Sequence, residues 1–145
     1  MSNITESIRD WISTNVETGE NLVGVTVHTM GETEDLSPPF IGIYESGADI
    51  YEEGSVVMYG VTDYEITVEL HTAPLDAPEG GTATTTEQAM RKELYGILGN
   101  RDGIDFITGR EEWQVFDIRT PAAITETEDD RRISRWILNV VASPL

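Results

Sequence analysis

The chain has no cysteine, and only one of its nine basic residues, Lys92, is lysine. Without cysteine there is no disulfide framework and no thiolate metal site. The cysteine content therefore does not indicate whether the protein resides in an oxidising or a reducing compartment. The chain also lacks a basic segment followed by an apolar one at its start, and any apolar run near the roughly 18 residues that span a bilayer. We therefore expect a soluble protein that is synthesised in the cytoplasm and has no membrane partner.

Catalytic motifs are missing as well. The sequence contains no Gly-x-Ser-x-Gly elbow, no Walker loop and no Rossmann glycine fingerprint. Gly80 and Gly81 precede a predicted helix, but no lysine follows them, so a hinge explains them better than a phosphate site. Paired carboxylates are the remaining route to hydrolysis, yet no pair stands out among so many acids. We predict that the protein is not an enzyme and binds no cofactor.

Negative charge is what the chain has in excess. Its 145 residues include 27 Asp and Glu against nine Lys and Arg, which gives a net charge of −18, together with 39% hydrophobic residues. This combination indicates a folded domain covered by carboxylates, which repels nucleic acid and anionic lipid. One explanation is adaptation to molar salt, where the Debye length falls to about 3 Å and self-repulsion is screened. The other is a surface that must not hold passing DNA.

Periodicity divides the chain into helices and strands. Apolar residues at helical spacing predict an amphipathic helix over residues 3–16, with Asn3 and Glu6 as its capping pair. Thr84 and Glu87 fit the capping box of a second helix, which closes at Gly99. Alternating apolar and polar residues predict strands at 22–30, 40–44, 55–71, 113–120 and 132–142. An exposed loop or hairpin arm is expected at 45–54, a loop around 101–103 and an acidic turn at 126–130.

The order of these elements predicts the fold class. One helix, three strands, a second helix and two strands indicate an α+β fold. Short acidic connections between strands favour an antiparallel or mixed sheet of about five strands with both helices packed on it. We find no internal repeat and expect a single domain over residues 1–145.

Few residues suggest a metal or binding site. His28 and His71 fall on the predicted polar faces of two strands and could bind a metal ion with Glu69, but no further ligand stands at a suitable spacing. The acids at 45–53 and 126–130 do not match the spacing of a calcium loop, so we interpret them as solvated turns and predict no metal site.

Positive charge clusters at the start of the last predicted strand, at Arg131, Arg132 and Arg135. Arginine suits bidentate pairing with carboxylates, so an acidic loop of a neighbouring copy would complete an interface here. The alternative is pairing inside the subunit with the acids at 126–130. The sequence leaves both open.

Taken together, the element order and local patterns resemble the tail-terminator proteins of tailed viruses. The segments that carry the resemblance are the N-terminal helix, Pro39–Tyr44 with the acidic loop after it, Val61–Leu70, Met90–Leu94 and Arg132–Val141. The resemblance implies a structural virion protein, with no catalytic residues, that forms a homohexameric ring at the head–tail junction. Such a ring stops growth of the tail tube and joins it to the head connector. The low lysine content suggests a virus of a halophilic host.

The resemblance also implies partners and contact residues. The partners are other copies of the chain, the tail-tube protein and a head connector or adaptor protein, while DNA passes through an acidic lumen without specific binding. We expect contacts between neighbouring copies at Arg131, Arg132, Arg135, Glu65 and Glu69. We expect loop or lumen contacts at Glu45, Asp49, Glu52 and Glu53. The alternatives are a head-closure or adaptor protein of the same neck region, and an acidic monomeric binding module or enzyme of a halophile.

Overall fold

The computed structural model describes residues 3–29, 38–53, 56–72, 82–120, 123–128 and 131–145. Its helices are α1 (Ile4–Glu17), α2 (Thr82–Leu98) and α3 (Asp102–Gly109). Its strands are β1 (Thr26–Thr29), β2 (Phe40–Glu53), β3 (Val56–Thr72), β4 (Trp113–Arg119), β5 (Ile124–Glu128) and β6 (Arg131–Pro144).

The strands form one mixed sheet in the order β1-β2-β3-β6-β4. The β1–β2 pair is parallel and the other pairs are antiparallel. β3 pairs with one edge of β6. The other edge pairs with β4 along residues 139–144 and with β5 along residues 131–135. The predicted α+β fold with a mixed sheet is confirmed, and the described ranges contain six strands and three helices instead of about five and two.

The hydrophobic core lies between the helices and one face of the sheet, which we call the helical face. Alternate residues of the long strands face this core because side chains alternate across a sheet. The core includes Ile8, Trp11 and Ile12 of α1, Leu94 and Leu98 of α2, Ile41 and Ile43 of β2, Ile66, Val68 and Leu70 of β3, and Trp136, Leu138 and Val140 of β6. The opposite side of the sheet carries mainly polar side chains, and we call it the open face.

The predicted N-terminal helix is confirmed, together with its cap. The Asn3 side-chain oxygen accepts the backbone N–H of Glu6 at 2.9 Å, which satisfies one of the free donors of the first turn. The prediction for α2 is wrong at its start, because the helix begins at Thr82 and Thr84 lies inside it. Glu87 is buried, and its two carboxylate oxygens lie 3.0 Å from Nε of Arg91 and 3.2 Å from Nη1 of Arg132. Glu87 therefore ties α2 to β6.

Helix α3 replaces part of a predicted loop. Glycine disfavours helix interiors, so residues 102–109, with glycine at two positions, gave no helical signal. Packing explains the helix, because Gly103 lies against the indole ring of Trp11 in α1. A Cβ atom at position 103 would come within 2.6 Å of that ring, so only glycine permits this approach.

Strand β5 corrects part of a second prediction. The acidic run 126–130 was expected to form a turn, but residues 126–128 belong to Ile124–Glu128, which pairs along β6, and residues 129–130 lie outside the described residues. Strand preference depends on neighbouring strands more than on the residue itself, and here the pairing overrides the acidic composition. Gly60, predicted at a bend of the long strand, adopts a positive φ of 84° within β3. Only glycine enters this left-handed region without strain.

Glu93 of α2 holds the segment that follows α1. Its carboxylate accepts the backbone N–H groups of Glu20 at 2.9 Å, Asn21 at 3.1 Å and Leu22 at 2.7 Å. Burial by itself raises the pKa of Glu93. The backbone donors outweigh burial and hold that pKa below its ordinary value.

The variant Glu93→Gln is expected to lower the free energy of unfolding by about 1 to 2 kcal/mol at neutral pH. The reason is that the amide nitrogen of glutamine cannot accept hydrogen bonds from these N–H groups. The folded pKa is lower than the unfolded one. The carboxylate therefore stabilises the fold above the ordinary value of 4.5, and this contribution is lost as the pH falls through the folded pKa. Urea unfolding at several pH values should show the gap between wild type and variant closing in acid.

The matched control for this prediction is Glu20→Gln. It removes the same charge from an exposed neighbouring side chain and leaves the backbone N–H of residue 20 in place. We expect little change in stability for this control. Equal losses in the two variants would contradict a specific role for the Glu93 carboxylate.

Candidate interaction surfaces

The three arginines predicted as one interface cluster do not share a surface. Because side chains alternate along β6, Arg131 and Arg135 lie on the open face and Arg132 lies on the helical face. Arg132 is the partner of Glu87 described above. The period of two therefore separates side chains that are neighbours in the sequence.

Glu69 of β3 is the centre of a polar network on the open face. It lies opposite Arg135 in the register of β3 and β6 and is only 4% exposed. Nε of Arg135 donates to Oε2 of Glu69 at 2.7 Å, Nε2 of His71 donates to Oε1 at 2.9 Å, and the Tyr44 hydroxyl donates to Oε2 at 3.3 Å. Burial raises the pKa of Glu69, but hydrogen bonds from His71 and Arg135 outweigh it and lower that pKa.

Arg135 extends this network to β5. Its Nη1 atom donates to Oε2 of Glu126, so one guanidinium joins carboxylates of β3 and β5. The hydrogen bonds to Glu69 and Glu126 raise the pKa of Arg135 above its ordinary value. For Arg135, pairing inside the subunit is therefore observed, which was one of the two alternatives left by the sequence. Contacts of Arg131 and Arg132 with another copy remain predictions.

An aromatic stack continues the network along the open face. The rings of Phe40 and His71 are stacked at 4.3 Å, the Arg131 guanidinium lies 5.7 Å from the Phe40 centroid, and His28 meets Phe40 edge-on. Nη1 of Arg131 lies 3.4 Å from Nδ1 of His71, and because arginine can only donate, this hydrogen bond requires the tautomer with its proton on Nε2, toward Glu69. Within the described ranges, no group of three or more His, Asp or Glu residues is arranged to hold a metal ion.

The β2–β3 hairpin extends beyond the rest of the sheet. Pairing of β3 with β6 ends at Thr62, and pairing of β2 with β1 ends at Ile43. Residues 50–53 and 56–61, which we call the arm, therefore lie beyond the pairings with β1 and β6, and among the described residues their strand partners belong only to β2 and β3. A two-stranded ribbon has marginal stability in water, and its free edges offer unpaired N–H and C=O groups. The arm matches the hairpin arm that was one of the two forms expected near residues 45–54.

The acidic residues predicted for loop or lumen contacts lie on β2. Glu45 and Asp49 are exposed, while Glu52 and Glu53 belong to the arm and their side chains are outside the described part. Asp49 lies directly opposite Asp63 of β3. The open pocket beside them, which we call the acidic pocket, is lined by Gly47, Ala48, Asp49, Asp63, Glu65 and Asn139.

Neutral side chains donate hydrogen bonds to two of the carboxylates in this pocket. Asn139 donates to Asp63 at 3.4 Å, and the Ser46 hydroxyl donates to Glu65 at 3.2 Å. Glu65 was predicted to contact a neighbouring copy together with Glu69. Glu65 borders the open pocket, whereas Glu69 is buried in the polar network. Of these two carboxylates, only Glu65 borders an open surface.

A group of side chains at β4 was missed by sequence reasoning. Arg101 and Arg119 are exposed and each forms a salt bridge with Asp117 of β4, and Phe116, next to Asp117 in the chain, is exposed as well. No local pattern joins them, because α3 and most of β4 separate Arg101 from Arg119 in the sequence. The sequence indicates only that Arg119 is exposed, because it alternates with apolar Ile118.

Comparison with known proteins adds no assignment, since neither a family model nor a curated protein matches the sequence. Within the described ranges, no helix combines the length and the apolar character needed to cross a membrane. Function is therefore inferred from the arm, the polar network and the charge of this chain.

Proposed function

We propose that the chain is a structural subunit that assembles as a ring at the head–tail junction of a tailed virus. In this position it ends the tail tube and joins it to the head connector. The arm is the observation that carries the proposal. It gains stability when another chain covers its free edges, and ring assembly provides such a chain.

The distribution of charge supports the same function. A ring through which DNA travels must not bind phosphate, and phosphate binding depends on accessible Lys and Arg side chains. Here Arg132 and Arg135 form salt bridges with Glu87, Glu69 and Glu126, which leaves these two arginines less accessible to phosphate. The exposed acids of β2 would add to a surface that repels DNA. The same charge opposes assembly at low salt, so ring formation should become stronger as salt rises.

The first test is the oligomeric state of the purified chain. Native mass spectrometry and negative-stain images, the latter recorded in low salt and in about 1 M salt where the Debye length is about 3 Å, should show closed rings that increase with salt. A monomer at every salt and protein concentration would contradict the proposal. That result would favour the acidic monomeric module considered from the sequence.

The second test separates tail termination from the related neck roles. Gold-labelled rings are mixed with head connectors and with tail tubes assembled from the tail-tube protein of the same virus. We expect one label at a single end of each tube and no further growth from that end. Labels confined to head connectors, with tubes still growing, would instead indicate a head-closure or adaptor protein.

A further inference from the structure

The outer face of α2 carries no acid, although the net charge of the chain is −18. The helix contains two acids, Glu87 and Glu93, and both are engaged inside the subunit. Glu87 is buried and pairs with Arg91 and Arg132, while the Glu93 carboxylate accepts backbone N–H groups of the segment after α1. The other two helices expose acids, at Glu17 of α1 and at Asp102 and Asp105 of α3. Among the helices, α2 therefore offers the face that an acidic molecule approaches with the least repulsion.

The exposed residues of this face suit a contact with another protein. Among the described side chains of α2, the exposed ones belong to Gln88, Lys92, Tyr95 and Gly96. Residues three and four positions apart lie on the same side of a helix, so these four form one surface, which we call the α2 strip. Tyr95 is 49% exposed. Tyrosine is enriched among the residues that contribute most of the binding energy at protein interfaces.

Nothing in the described structure requires glycine at position 96. A Cβ atom there would meet no atom within 4 Å, and the backbone is helical, without the positive φ of Gly24 and Gly60. Gly103, in contrast, is required by the indole ring of Trp11. Glycine also disfavours a helix relative to alanine. What glycine provides at position 96 is access, because a second backbone can approach the helix closely from outside.

Charge favours a second copy of the chain as the molecule that makes this approach. A basic partner would bind where carboxylates are dense, whereas two copies of a chain with a net charge of −18 repel each other unless their contact excludes exposed acids. The α2 strip meets this condition on both sides of a contact with itself. Packing of Tyr95 and of the helix backbone does not depend on opposite charges. Salt therefore screens the remaining repulsion and strengthens the contact.

We propose that the α2 strip is a self-association surface, through which the α2 helices of two copies pack about a two-fold axis. The two helices cross at Gly96, where the missing side chains permit a short distance between their axes. Each Tyr95 ring packs on the α2 helix of the other copy. The contact goes beyond the proposed ring function, because a contact between identical surfaces closes after two copies. Where rings form, it joins two rings.

Two identical substitutions at exposed helical glycines test the contact. Gly96→Gln fills the crossing point and should weaken association of two copies at least about tenfold, measured by sedimentation velocity in about 1 M salt. The same variant should raise the unfolding temperature of the dilute monomer by about 2 °C, because glutamine favours a helix. Gly109→Gln on α3, where a Cβ atom also meets nothing within 4 Å, should leave association unchanged. Unchanged association in Gly96→Gln, or equal weakening in both variants, would overturn the proposal.

Disulfide trapping provides an independent test, since the chain has no native cysteine. A two-fold contact at Gly96 brings this position of two copies near the Cα separation of about 4.4 to 6.8 Å that a disulfide spans. Gly96→Cys alone should therefore give linked dimers on mild oxidation. The control, Gly109→Cys, should stay unlinked at the same protein concentration. Equal cross-linking of both variants, or of neither, would overturn the α2 contact.

The same samples separate this contact from the ring function. Paired rings in wild type that become single rings in Gly96→Gln would support the contact and agree with the ring function. Dimers linked at position 96 that never close into rings would support the contact and contradict the ring function. Wild-type rings without pairing and without cross-links at position 96 would overturn the contact and leave the ring function standing.

Discussion

Replacing Arg135 by alanine is expected to lower the free energy of unfolding by about 3 kcal/mol, because truncation of one partner leaves a buried charge without compensation. The charge left behind is Glu69, which is 4% exposed and keeps only His71 and Tyr44 as partners. Glu126 loses its partner as well, but it is exposed and contributes little. Urea unfolding at neutral pH measures the loss.

Two further variants show that the loss comes from the buried charge. The double variant Glu69→Gln with Arg135→Met removes both ions and keeps an oxygen that can accept from His71, so its stability should stay within about 1 kcal/mol of wild type. Lys92→Ala removes an exposed positive charge of the same sign and should change stability by less than about 0.5 kcal/mol. If the double variant were as unstable as Arg135→Ala, the cause would be packing and not the unpaired carboxylate.

Removal of Trp11 is expected to have the largest effect on the core, about 3 to 5 kcal/mol for Trp11→Ala. The side chain is 1% exposed and lies where α1 meets α3. Its loss creates a cavity in the contact that holds a helix with weak intrinsic preference. Thermal or urea unfolding followed by circular dichroism should report the lower stability. A change below about 1 kcal/mol would contradict the central position of this indole.

A pair of identical substitutions in α3 tests the same contact from the other side. Gly103→Ala places a methyl group 2.6 Å from the Trp11 ring and should cost about 1 to 3 kcal/mol. Gly109→Ala meets no atom within 4 Å and should be neutral or stabilising. In a Trp11→Leu background, the penalty of Gly103→Ala should shrink, since the rigid ring is gone. Equal costs at both positions would show that helix preference, and not the approach of Trp11, sets the requirement for glycine.

Local patterns were sufficient to predict several elements. α1 followed from helical spacing with a cap at Asn3, and β3 and β6 followed from alternation, since each signal depends only on neighbours in the chain. α3 and β5 did not follow, because glycine and acidic residues oppose helix and strand locally. Contact with Trp11, which is distant in sequence, decides α3, and pairing with β6, the next strand along the chain, decides β5.

The candidate surfaces show the same division. The sequence drew attention to the arginines at 131–135 and to the acids on β2, and both belong to surfaces described above. It could not assign their partners, because side-chain alternation sends Arg132 to α2 and Arg135 to Glu69. The exposure of Phe116 could not be predicted from the sequence, because it depends on a bulge in the pairing of β4 with β6.

By itself, the amino-acid sequence determined the acidic character of this protein, the absence of thiol chemistry, the capped first helix and the α+β class. These properties depend on composition and on periodicity along a single segment. Only the tertiary structure decided which carboxylates are buried and paired, which are left open, and where the hairpin extends past the sheet. Those outcomes depend on strand register, because one residue of shift moves every side chain of a strand to the other face.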